Sequence, residues 1–284
     1  IKGFAAEEHR LRVPRESADA DVWVRTVHME PFVESLAECG WGVRTDSTLS
    51  RELVEHSVTL IHTQWSCDID VHSRFPGFLE SPDDVFAILW RRRQTRSLAG
   101  IDVDIPDRAS AILIGALHAM RSPSQTSRHA VDFELLVTVC AAMDAAERRD
   151  IVELAIATGA VDTARPFLET LGVELPDPTP HGANPALDEW RARVAADGVV
   201  GAQAIIAAQR LPWYGRPAAI FHILWPTGRD FRIDHPEVEP GRLPLLRAHF
   251  ARLGRGISQL HVIFRGRRQA RRGVTATSLL DGDK

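Results

Sequence analysis

The stretch "RVPRESADADVWVRT", residues 12–26, sets two aspartates, Asp19 and Asp21, at the mouth of the apolar run Val22-Trp23-Val24. Strand side chains alternate with period two, so the two carboxylates point the same way, a few ångströms apart. Like charges side by side repel, and strands are poor in aspartate. A second segment, "CDIDVHS" (67–73), repeats the pattern, with Asp68, Asp70 and His72 at i, i+2 and i+4 on one face. If these two strands are neighbours, three or four carboxylates converge. Left bare, such a cluster is expected to raise the pKa of at least one member, and Asp21→Asn to leave the metal-free protein as stable or more so. A divalent cation removes the conflict. Carboxylate and water oxygens suit Mg²⁺ or Mn²⁺, and sites of this kind carry out two-metal phosphoryl or nucleotidyl transfer.

Working outward, "MEPFVESLAEC" (29–39) has Phe32, Val33, Leu36 and Ala37 at helical spacing, with Gly40 as a stop. "HSVTLIHTQ" (56–64) alternates like a strand, and only Trp65 and Ser66 separate it from the acidic segment, which predicts a hairpin or a bent ribbon. "SRFPGF" (73–78) reads as a turn. "SPDDVFAILWRRR" (81–93) opens a helix, with Ser81 as N-cap and Pro82 at the first position. "GIDVDIP" (100–106) reads as a short strand. Its Asp102 and Asp104 form a second D-x-D, taken as structural because no phosphate loop precedes them.

From Arg108 the pattern is helical. "RASAILIGALHAMR" (108–121) is apolar nearly all round and is expected to be buried. Further helical runs cover 129–143 and 147–172, and "VELPDPTPHGANP" (173–185), with four prolines, is a linker. The pattern predicts an α+β protein: a small mixed sheet with flanking helices over residues 1–107, then a mainly helical region over 108–284 that packs against it.

Composition narrows the class. The 284 residues are 44% hydrophobic and 25% charged with a formal net charge of -4, which suits a globular protein. No apolar run approaches roughly twenty residues, so no membrane partner is expected. The three cysteines are widely spaced with no C-x-x-C, which points to a reduced, cytoplasmic protein and away from a zinc site. The chain opens on Ile1, so a preceding segment is expected to be missing. Lysine occurs only at positions 2 and 284, which isolates Lys2 among arginines. Eight arginines between 247 and 272, with no acid among them, read either as a nucleic-acid face or as a solvated helix face.

"IKG" (1–3) followed by "RESADADVWV" (15–24) resembles an uncharacterised nucleotidyltransferase-like family within the polymerase-β-type superfamily. Its members end a hydrophobic strand in Lys-Gly and continue as Arg-x-Ser-x-Asp-hydrophobic-Asp, which Arg15, Ser17, Asp19 and Asp21 match in register. The family's third carboxylate carries over to Asp70, and its helical His and Asp positions to His118 and Asp132. The resemblance implies a nucleotidyltransferase-type sheet in residues 1–107 and an acceptor site shaped by residues 108–284. It further implies an Mg²⁺- or Mn²⁺-dependent enzyme that moves a nucleoside monophosphate from an NTP to an acceptor hydroxyl or amine. Asp19, Asp21 and Asp70 would be the catalytic, metal-holding acids. Lys2, Gly3 and Ser17 would orient phosphates, and Arg15 would neutralise the leaving pyrophosphate.

Two other readings stay open. The superfamily usually has Gly-Ser or Gly-Gly before the acid pair, whereas Phe4 follows Gly3 here, as a degenerate nucleotide-binding module or toxin–antitoxin partner would allow. A sugar-nucleotide glycosyltransferase using Asp-x-Asp would want a longer nucleotide domain than the eighteen residues before Asp19. His72 is taken as a hydrogen-bonding residue rather than a ligand, and Asp70 as open to pairing with Arg74 or Arg92.

Overall fold

The computed structural model describes residues 1–44, 57–121, 126–195, 206, 208, 211–235 and 237–254. After α1 (Gly3–Glu8) the chain enters β1 (Asp19–Trp23), then α2 (Met29–Glu38), β2 (Gly42–Val43), β3 (Ser57–Ile61) and β4 (Asp68–His72). The four strands form one mixed sheet in the order β1-β4-β3-β2. β1 lies parallel to β4, while β3 is antiparallel to both β4 and β2. The hairpin expected between residues 56 and 73 is the β3–β4 pair. A mixed sheet with flanking helices and a mainly helical continuation is the architecture that the alternating and helical patterns predict.

Beyond the sheet, α3 (Pro82–Arg91) begins as its sequence requires: the Ser81 hydroxyl accepts from the Asp84 amide at 3.2 Å, and Pro82 occupies the first turn. β5 (Gln94–Leu98) and β6 (Ile101–Ile105) make a separate antiparallel ribbon. Asp104 on β6 accepts from Thr95 at 2.8 Å and from Arg93 at 3.3 Å, so the second D-x-D braces this ribbon. Asp102, on the same face of β6, pairs in register with Ser97.

The helical region runs through α4 (Arg108–Arg121), α5 (Thr126–Ala141), α6 (Ala145–Ala157) and the short α7 (Arg165–Leu168). It continues in α8 (Pro185–Ala195), α9 (Arg216–Leu224), α10 (Gly228–Asp234) and helical residues 242–254. α4 is the buried helix its sequence promises: Ile112, Leu113 and Leu117 are fully enclosed. The run from 147 to 172 is not one helix. α6, capped at its start by Asp144 and Glu147, ends at Ala157, because Gly159 takes a φ of +67° that turns the chain out of the helix before α7. Residues 173–184 are an irregular connection, as the prolines dictate.

A single buried cluster joins the two regions, drawing Leu11, Phe75, Val85 and Leu89 from the first 107 residues and Ile112, Leu117, Leu136 and Phe167 from the rest. Gly77 clamps the seam. Its φ of +103° suits glycine, a Cβ there would meet Leu117 Cδ2 at 2.6 Å, and its carbonyl accepts from the Thr163 hydroxyl at 2.5 Å. Leu117→Ala is therefore expected to lower stability by about 2–5 kcal/mol, with both regions unfolding in one urea transition. Two separated transitions, one per region, would contradict a shared core.

Candidate metal centre

Register builds the site. In the parallel pair, Asp19 lies opposite Asp68, Asp21 opposite Asp70, and Trp23 opposite His72. Alternation therefore sends Asp19, Asp21 and Trp23 to the same face as Asp68, Asp70 and His72. On β3, Thr59 is the register partner of Asp70, and its hydroxyl donates to Asp70 Oδ1 at 2.6 Å. Arg44, just past β2, donates to Asp68 Oδ2 at 2.5 Å. Thr59 holds Asp70, and Arg92, one of the partners expected for it, is bound to Asp107 and Asp150 instead.

Asp21 is the centre. Its side chain is only 5% exposed, and its Oδ1 meets both the Lys2 ammonium at 2.7 Å and His72 Nε2 at 2.8 Å. Burial pushes its pKa up. The His72 hydrogen bond and the Lys2 charge outweigh that effect and hold the carboxyl well below the ordinary range. Asp19 behaves oppositely. Partial desolvation, then the charge of Asp21, raise its pKa against the pull of Lys2, with Asp70 adding to the rise. The expectation that one acid of the cluster takes up protons more readily thus holds for Asp19. The expectation for Asp21 does not, because Lys2 and His72 already balance its charge.

α1 delivers Lys2. The Ile1 backbone nitrogen donates to the Asp21 carbonyl at 2.7 Å, which seats the segment beside β1. α1 then packs on α4, which carries His118. A Cβ on Gly3 would lie 3.0 Å from the Ser17 hydroxyl and 3.7 Å from the Arg12 guanidinium, so a glycine lets the start of α1 close on the loop before β1. Ser17 accepts from Arg12 at 3.2 Å, and Arg12 also binds Glu7. Arg15 is drawn elsewhere: its guanidinium makes a two-pronged pair with Asp132 on α5, at 2.9 and 2.7 Å. Lys2, Gly3 and Ser17 thus gather at the acidic face, while Arg15 ties that loop to the helical region. The His118 ring meets His129 edge-on at 4.9 Å, and burial, then the Lys2 charge, take its pKa down to about 3. It is neutral at ordinary pH.

Asp21, Asp70 and His72 each offer a ligand atom, all within 4.8 Å of one another. Two ligands of a cation bound at about 2.1 Å lie at most ~4.2 Å apart, so this spread closes with small side-chain rotations. Two carboxylates and an imidazole fit one divalent ion of the Mg²⁺–Mn²⁺ kind in charge and donor type. His72 makes the hydrogen bond to Asp21 that its residue type favoured, and it also stands within ligand reach of Asp21 and Asp70. The signal was its position two residues after Asp70. Asp19 stands at the exposed rim, outside the cluster. A cavity of about 270 Å³, lined by Trp23, Phe75, Phe78, Arg74 and Glu80 among others, touches β1 at Trp23, two residues after Asp21. Among the described residues, no helix is long and apolar enough to cross a membrane. Most of the arginine run, from Arg255 onward, lies outside them.

Comparison with protein-family models, curated proteins and solved structures gives no match.

Because the Asp21 pKa is depressed on folding, its contribution to stability is present above the ordinary aspartate value of 3.8 and is lost as pH falls towards the folded value. Asp21→Asn is expected to lower stability at pH 7 by about 1.5–3 kcal/mol, the range for hydrogen bonds to charged groups. The gap from wild type should narrow as the pH drops below 3.8. Urea unfolding across pH checks both, and equal stability of the two proteins at pH 7 would contradict the assigned role of Lys2 and His72.

Proposed function

We propose that the protein is a metal-dependent nucleotidyltransferase. The observation that carries the reading is the in-register pairing of Asp21 with Asp70 on parallel neighbouring strands, with His72 completing a cluster 4.8 Å across. The bound Mg²⁺ or Mn²⁺ would neutralise charge on the triphosphate and the departing pyrophosphate. Asp21 and Asp70 would hold the ion, and Asp19, at the rim, would hold a second where two are used. His72 fixes the Asp21 carboxylate, and Thr59 fixes Asp70.

In the proposed step an acceptor hydroxyl or amine attacks the α-phosphorus, its proton passes to Asp70, and the α–β bridging P–O bond breaks with its electrons on the leaving pyrophosphate. Lys2, Gly3 and Ser17 would orient the phosphates, and Arg15 would be recruited from Asp132 to the leaving group. The aromatic cavity beyond Trp23 and the flanking helices would receive the organic part of a substrate.

One observation favours a reading without turnover. Lys2 already satisfies Asp21, and Asp132 already satisfies Arg15, as in a module that binds nucleotide only to regulate a partner. The test is a screen of labelled NTPs, with Mg²⁺ or Mn²⁺, for covalent transfer to protein, peptide and small-molecule pools, alongside pyrophosphate release. Transfer by wild type, reduced more than about 100-fold by Asp70→Asn, supports the enzyme; losing a merely supporting residue costs less. Asp104→Asn, on the separate ribbon, should retain full transfer. Metal-dependent NTP binding without transfer would replace the enzyme by the binding module.

A further inference from the structure

We infer that Lys2 is a resident counter-ion that occupies Asp21 until a divalent cation takes its place, so that metal binding and release of the lysine towards phosphate are one exchange. The inference rests on the reading of Asp21, Asp70 and His72 as the metal site. It goes further, because it assigns Lys2 two alternating partners and makes nucleotide and metal mutually dependent.

The geometry starts from one oxygen. Asp21 Oδ1 takes the Lys2 ammonium at 2.7 Å and His72 Nε2 at 2.8 Å, and both Lys2 and Asp21 side chains are largely shielded, at 18% and 5% exposure. A buried carboxylate is expensive to leave uncompensated, so some cation must sit beside it at all times. In this structure that cation is Lys2. A divalent ion drawn to Asp21 and Asp70 brings two positive charges to within a few ångströms of the ammonium. The repulsion between them is strong in a site so little exposed to water. The ion and the lysine therefore compete for Asp21.

Lys2 can leave at modest loss only if another anion receives it. Its backbone position is pinned by the Ile1–Asp21 hydrogen bond and by the packing of α1 on α4, so only the flexible four-carbon stem moves. Gly3 follows Lys2 directly and closes on Ser17, and Asp19 stands two residues before Asp21 on the same face of β1, where phosphates are proposed to bind. His118 on the neighbouring helix is uncharged and adds no competing cation. A triphosphate arriving with its metal supplies both halves of the exchange: the metal compensates Asp21, and the phosphates compensate Lys2. Metal alone supplies only one, and should bind weakly.

The experiment measures Mn²⁺ binding to the full chain by electron paramagnetic resonance with no nucleotide present. Lys2→Gln is expected to bind Mn²⁺ about tenfold or more tightly than wild type. Lys2→Arg, which keeps the charge and guards against loss of fold, should bind it as weakly as wild type or more so. Asp21→Asn in either background should abolish the tight binding, which locates the ion. Equal Mn²⁺ affinity in wild type and Lys2→Gln, with both lost on Asp21→Asn, would overturn the exchange and leave the metal site standing. No Mn²⁺ binding by any of these proteins, or binding that survives Asp21→Asn, would overturn the metal site and the exchange together.

Discussion

Asp21 must stay charged in a place that water hardly reaches, and much of the arrangement around it follows from that demand. A carboxylate at 5% exposure needs partners at short range, and it finds them in Lys2, nineteen residues earlier and past one helix, and in His72, on the adjacent strand. His72 is available only because β1 runs parallel to β4 in the register that sets Trp23 opposite it, and Lys2 because Ile1 is tied to the Asp21 carbonyl. A slip of one residue would turn the acids to the opposite face, where Leu60 and Val71 are fully buried. The electrostatics of one side chain and the register of the sheet are therefore the same constraint seen twice.

The helical region is joined to this constraint rather than appended to it. The buried cluster runs without interruption from Phe75 and Val85 to Ile112 and Phe167. Gly77 presses against Leu117 at the seam, and the Arg15–Asp132 pair fastens the loop before β1 to α5. α1, which carries Lys2 into place, leans on α4, the most completely buried helix. Motion of the helices would thus be felt at Lys2 and Arg15, two of the cations proposed to meet phosphate. Each is seated on a carboxylate, Lys2 on Asp21 and Arg15 on Asp132.

What the sequence made legible was periodic or local. The two acidic strands, the 56–73 hairpin, the Ser81 cap, the buried 108–121 helix and the structural nature of Asp104 all follow from spacing or from side chains near in sequence. What escaped it depends on register between distant segments. Thr59 meets Asp70, and Arg44 meets Asp68, only because β2, β3 and β4 pair as they do. Arg15 and Asp132 were both visible as motif residues, but nothing in a linear reading brings positions 117 apart into one ion pair. The repulsion expected among bare acids was overestimated at Asp21 for the same reason: Lys2 was assigned to phosphate and therefore omitted from the charge balance. The single helix expected over 147–172 failed because helical spacing continues through residues where the backbone has already turned at Gly159.

The claim on which the account stands is that Asp21 and Asp70 jointly hold a divalent ion. Anomalous diffraction from crystals grown with Mn²⁺ and a non-hydrolysable NTP tests it most directly. The predicted result is an anomalous peak about 2.1 Å from a carboxylate oxygen of each of Asp21 and Asp70, with the Lys2 ammonium withdrawn from Asp21. Lys2 still seated on Asp21, with no anomalous peak between the two carboxylates, would contradict it.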